Sequence, residues 1–131
     1  MSGRARGEFE VELTPQPADD YADGATLGRL SIDKRFRGGL EGTSRGQMLT
    51  AMTGVKGSAG YVAIERFTGT LDGRQGSFVL QHTGTMTRGV PTLSVTVVPD
   101  SATGQLAGLT GTMSIDVEAN HSYDFAYTLP S

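Results

Sequence analysis

Residues 57–88 read GSAGYVAIERFTGTLDGRQGSFVLQHTGTMTR. Apolar and polar side chains alternate on both sides of Asp72-Gly73, a dipeptide that favours a two-residue hairpin turn. The stretch therefore predicts two antiparallel strands. Tyr61, Ala63, Glu65, Phe67 and Leu71 share one face of the first; Phe78, Leu80, His82 and Met86 share one face of the second. Centring the turn on Asp72 and Gly73 sets Leu71 opposite Arg74, Phe67 opposite Phe78, Glu65 opposite Leu80 and Ala63 opposite His82. Glu65 and His82 are then diagonal neighbours on the apolar face, within reach of each other. A bulge at Gly76 would shift this register.

The alternation extends in both directions. Phe9, Val11 and Leu13 alternate with Glu8, Glu10 and Glu12, which predicts a strand with one buried and one wet face. Thr14-Pro15-Gln16-Pro17 is expected to end it, because proline brings no ladder donor. Residues 18–24 read as a polar loop. Further strands are expected near residues 25–36 and 40–53, around Leu93, Val95 and Val97, around Leu109, Met113, Ile115 and Val117, and, after a turn at Ala119-Asn120, around Tyr123, Phe125, Tyr127 and Leu129. No window has helical periodicity. Eight strands of similar spacing predict an all-β chain: a single-domain, eight-stranded antiparallel β-barrel over residues 8–131, preceded by a flexible N-terminus at residues 1–7. An eight-stranded barrel is either filled by its own side chains or holds one small ligand. Thr83-Gly84-Thr85-Met86 and Thr110-Gly111-Thr112-Met113 repeat one pattern in which glycine falls on the apolar face. Glycine there either lets the strand coil or leaves room for something bound.

Composition removes several function classes. The 131 residues are 37% hydrophobic and 19% charged, enough to close one core in one domain. The net charge is −3 with Lys and Arg spread along the chain, so no basic face for nucleic acid is expected. Cysteine is absent, which excludes disulfides, thiolate nucleophiles and Cys-based metal sites. No apolar run resembles a signal peptide or reaches the roughly 20 residues of a membrane helix, so a cytoplasmic protein is the expectation. Gly42-Thr43-Ser44-Arg45-Gly46 matches a nucleophile-elbow pattern but lies within a strand, so Ser44 reads as a polar cavity or register residue. His121 and Asp124 point to opposite faces and no His-x-His pair exists, so no metal site is expected.

An acid and an imidazole on an apolar face are costly unless paired. Their functional reading is an acid–base pair in a partly dry cavity. Burial raises the Glu65 carboxyl toward neutrality while His82 favours its charged form; Glu65 acts as base and His82 as proton donor or orienter. The bland reading is a buried polar pair that only fixes register. Lys34 joins them as a charge partner, opposite Ser44, if the Gly38-Gly39 connection has three residues; with two, Asp33 faces Ser44 instead, and the bland reading of Lys34 is a solvated lysine. Ser44, Tyr61 and Tyr123 would position polar atoms, with Phe67, Phe78, Met86 and Phe125 as walls.

The segments Gly42–Leu49, Lys56–Glu65, Gly76–Met86, Val97–Ser101 and Leu106–Gly111 resemble a bacterial family of small proteins of unknown function, and the resemblance spans about residues 7–129. That family is similar in fold to the allene oxide cyclase barrel, a calycin-like closed sheet of eight antiparallel strands. Allene oxide cyclases steer the ring closure of a fatty-acid epoxide in an apolar cavity, and other bacterial barrels of this shape cyclise polyketides. No plant cyclase motif occurs here, so no catalytic residue carries over, and fold alone does not carry function. The combined expectation is a barrel that binds a small hydrophobic organic molecule, with cofactor-independent isomerase or cyclase chemistry as its catalytic form. Small residues on the outer surface are compatible with a homodimer or trimer. The competing class is a non-catalytic binding or structural barrel. An interior of about 300 Å³ or more, open at one end, separates the two.

Overall fold

The computed structural model describes residues 1–17, 24–117 and 121–130. The strands are β1 (Ser2–Gln16), β2 (Thr26–Gly38), β3 (Leu40–Met52), β4 (Ala59–Leu71), β5 (Arg74–Thr87), β6 (Val90–Val97), β7 (Thr110–Asp116) and β8 (Ser122–Thr128). Each pairs antiparallel with the next, and β8 returns to β1, closing an eight-stranded barrel. The central hairpin has the expected register: Phe67 faces Phe78, Glu65 faces Leu80 and Ala63 faces His82. Asp72 and Gly73 both take positive φ, 46° and 86°, as a type I′ turn requires. Gly76 stays in register opposite Gly69, so no bulge intervenes.

Three expectations change. Residues 2–7 are not a flexible lead-in but the first part of β1, paired with β8 from Ser2–Thr128 to Glu8–Ser122. That strand also continues through Pro15 to Gln16. Among the described residues the ladder to β8 ends at Glu8–Ser122, with Phe9 N still donating to His121 O, and the strand beyond is paired with β2, so Pro15 sits where a missing donor is tolerated. A short 3-10 helix, Gly104–Leu106, interrupts the expected loop after β6 and seats Leu106 fully buried. The expected loop at residues 18–23 and the turn at Ala119-Asn120 lie outside the described residues.

The barrel has two unlike ends. At one, Phe36, Phe67, Phe78 and Phe125 pack in succession, edge-to-face, tilted and stacked, at centroid distances of 5.5, 5.1 and 5.6 Å, and all four are buried. Leu40, Leu71, Leu106, Leu109 and Leu129 seal that end below them. Inward glycines make the packing fit. Gly42 and Gly69 face each other, and a Cβ on either would run into the backbone of the opposite strand, so these two let the sheet coil. Gly84 and Gly111 instead lie under the rings of Tyr61 and Phe125, so the room they leave is taken by the chain's own aromatics.

Candidate functional site

The other end is open. It holds a cavity of about 1230 Å³ with walls that include Val11, Ile32, Met48, Tyr61, Ala63 and Ile115. Lys34 and His82 line the same cavity from its floor, just above the phenylalanine layer. The floor is polar because three strands deliver side chains to one carboxylate. Lys34 pairs with Ser44 across β2 and β3, so the three-residue connection is the one adopted and Lys34 points inward. Glu65 on β4 lies opposite Gly46 on β3, whose missing side chain makes room for it.

Glu65 has no exposed surface. Its Oε1 accepts from Lys34 Nζ at 2.8 Å and lies 2.5 Å from His82 Nε2; its Oε2 accepts from the Ser44 hydroxyl. Burial pushes this carboxyl up, but the His82 hydrogen bond and the charge of Lys34 outweigh burial and hold it at about 2. The expected rise toward neutrality is therefore reversed, because three donors converge where the sequence shows one imidazole. An ionised carboxylate only accepts, so His82 Nε2 must carry the hydrogen it shares. Nδ1 of the same ring has no partner among the described residues, and no buried polar atom there is left unsatisfied, so Nδ1 opens into the cavity.

Lys34 is also tightly placed. Its side chain is 8% exposed, and Nζ sits 5.0 Å above the Phe9 ring and 5.9 Å from that of Phe36. Tyr61 packs its ring on Gly84; burial, with the negative charge of Glu65 adding to it, raises its phenol above the ordinary tyrosine range, so it stays a donor.

The remaining expected residues divide. Tyr61, Met86 and Tyr123 line the cavity, Met86 at the exposed rim. Phe67, Phe78 and Phe125 are not walls: they are fully buried beneath the floor. Ser44 touches Glu65 and does not line the cavity. The Tyr123 hydroxyl is committed to the backbone, accepting from Leu40 N at 2.9 Å and donating to Arg37 O at 2.7 Å. Val11, Ile32 and Met48 were missed as walls; counting inward positions from Gly38-Gly39 on the register now seen would have found them. Among the described residues, no group of three His, Asp or Glu side chains is arranged to hold a metal. Among the described residues, no helix is long and apolar enough to cross a membrane.

No curated protein matches this chain. A solved structure does: the crystal structure, at 1.84 Å resolution, of a protein with unknown function from the DUF3224 family of Shewanella oneidensis MR-1. It is 52% identical, superposes with a TM-score of 0.93, and the match covers 100% of this chain and 99% of that one. Residues 5–127 match the family described as protein of unknown function (DUF3224), and with nearly the whole barrel inside that match the chain belongs to this family.

Proposed function

We propose that the open half of the barrel binds a small, largely apolar organic molecule and that His82, backed by Glu65, moves a proton on it without a cofactor. The observation that carries this reading is an imidazole at the floor of a large apolar cup, with Nε2 tied to a buried carboxylate and Nδ1 free. Glu65 is then not the base. It is fully occupied by its three donors and sealed from the cavity, so its role is to fix the tautomer and orientation of His82 and to favour the imidazolium. In an isomerisation, a C–H bond of the ligand breaks, its proton passes to Nδ1 and its electron pair enters the ligand's π system. The imidazolium returns the proton at another atom, so the step balances with no further reactant. Confinement by the apolar walls supplies orientation.

The binding half of this reading is tested with N-phenyl-1-naphthylamine, a neutral probe whose fluorescence rises in apolar surroundings. Wild type should bind it, and Met48→Trp, which fills space beside the wall, should weaken binding about ten-fold with no loss of thermal stability. Equal binding by the filled variant would place the probe elsewhere and remove the site.

A further inference from the structure

The floor of the cup holds a hydrogen-bonding imbalance that specifies the ligand further. Glu65, the strongest acceptor, is used up by Lys34, His82 and Ser44. Of the three hydrogens on Lys34 Nζ, one goes to Glu65 Oε1; no other oxygen or nitrogen acceptor for them exists among the described residues, and Phe9 lies below. Beside it, sharing the same carboxylate oxygen through Nε2, His82 presents an Nδ1 with no partner among the described residues. A cationic donor next to an unpartnered ring nitrogen, both facing one apolar space, matches an acid that arrives with its proton and leaves it on the ring.

We infer that the cup takes a neutral weak oxygen acid with an apolar body, either an enol or a carbonyl compound that enolises, its oxygen resting on the Lys34 ammonium and its acidic proton passing to His82 Nδ1. The inference rests on the proposed proton transfer and names its substrate class. For a ketone, the C–H bond next to the carbonyl breaks and its pair forms the C=C bond. The carbonyl π pair moves to oxygen, where Lys34 meets the developing charge, and the proton is held by Nδ1. Charge explains why the acid must be weak. With His82 as the neutral proton acceptor of this proposal, Lys34 and Glu65 cancel, so a ligand ionised in water would bring a net negative charge into an apolar cavity and lose its hydration. A neutral acid enters without that penalty, and its anion forms only as His82 becomes positive.

Four naphthalene probes of one shape decide it: 2-naphthol as the enol, 2-tetralone as the ketone, 2-methylnaphthalene without oxygen, and 2-naphthoate as the permanent anion. Wild type should bind 2-naphthol roughly ten-fold or more tighter than 2-methylnaphthalene, in line with a charge-assisted hydrogen bond, and the bound naphthol should show naphtholate absorption. It should also speed exchange of the protons at C1 of 2-tetralone with deuterium from the solvent, followed by NMR. Lys34→Met should remove the naphthol preference, so that 2-naphthol and 2-methylnaphthalene bind alike, and abolish the exchange. Tighter binding of 2-naphthoate than of 2-naphthol, or equal binding of naphthol and methylnaphthalene, overturns the substrate class while ligand binding stands. Binding of none of the four overturns both. The wild-type comparisons hold even if Lys34→Met fails to fold.

Discussion

Glu65 stays charged with no exposed surface because Lys34, His82 and Ser44 all donate to it. Removing charge from one side of this cluster should therefore do more harm than removing it from both. Glu65→Gln leaves the Lys34 ammonium without its counter-ion and should destabilise the fold by about 3–5 kcal/mol in urea titrations, whereas Lys34→Met/Glu65→Gln should regain much of that loss. A double variant no more stable than the single one would contradict the pairing. The same cluster sets an acid limit. The carboxyl is held at about 2 in the folded chain against an ordinary value of 4.5. A lowered value adds stability that is complete above the unfolded value and fades as the pH falls through the folded one. Between about pH 6 and about pH 2, wild type should lose on the order of 3 kcal/mol more than the double variant, measured by the same titration. Parallel pH curves would remove Glu65 as the cause. Glu65 and His82 were legible in the sequence because a two-residue turn fixes their relative register and both fall on the apolar face. Lys34 was not, because one residue more or less at Gly38-Gly39 decides whether Lys34 or Asp33 lies opposite Ser44, and an isolated lysine in a strand ordinarily reads as solvated. The sign of the shift at Glu65 was hidden for the same reason: it depends on donors from β2, β3 and β5 arriving together.

At the scale of strands and hairpins, Tyr123 couples distant parts of the chain. Its place on β8 is set by alternation, but its hydroxyl reaches the β2–β3 turn, where Leu40 N donates to it and Arg37 O accepts from it. Tyr123→Phe leaves the buried Leu40 N–H without an acceptor and should lower stability by about 1–3 kcal/mol, with 2-methylnaphthalene binding unchanged. An unchanged melting curve would show that this hydroxyl does not clamp the turn. The strand pattern made Tyr123 visible as an inward residue and gave no hint of its partner, because the contact joins positions 86 residues apart. Gly69 illustrates a second limit. Its sequence context permits either tight coiling or space for a ligand, and only the facing Gly42 decides for coiling. Gly69→Ala would push a Cβ against the Glu41 carbonyl and should destabilise by roughly 2–4 kcal/mol, whichever ligand is present. Stability restored by a ligand-sized cavity filler would assign Gly69 to the cup instead.

Across the whole molecule, packing and chemistry occupy opposite halves of one barrel. The closed half is filled by four phenylalanine rings and the leucines around them, and the open half keeps its walls apart around the Lys34–Glu65–His82 floor. Substitutions should separate accordingly. Phe78→Ala removes a fully buried ring and should cost about 3–5 kcal/mol, while Met86→Ala at the exposed rim should change stability by no more than about 0.5 kcal/mol and alter probe binding instead. The cup is also bounded by the seam with the shortest ladder among the described residues. β4 pairs along its whole length with both neighbours, whereas β6 meets β7 only through Val95–Met113 and Thr96–Thr112. Toward the mouth, residues 90–94 of β6 pair, among the described residues, with β5 alone, and Pro91 and Leu93 line the cavity there. Local opening follows the places with fewest ladder bonds and least buried apolar surface, so this side of the mouth is where the barrel should yield first. Amide hydrogen exchange tests it: residues 90–94 should exchange well before residues 61–67 of β4, and a bound probe should slow the first group more than the second. Equal protection of the two strands would mean that the wall beside β6 is as firm as the closed end, and a ligand would then have to pass through the mouth alone.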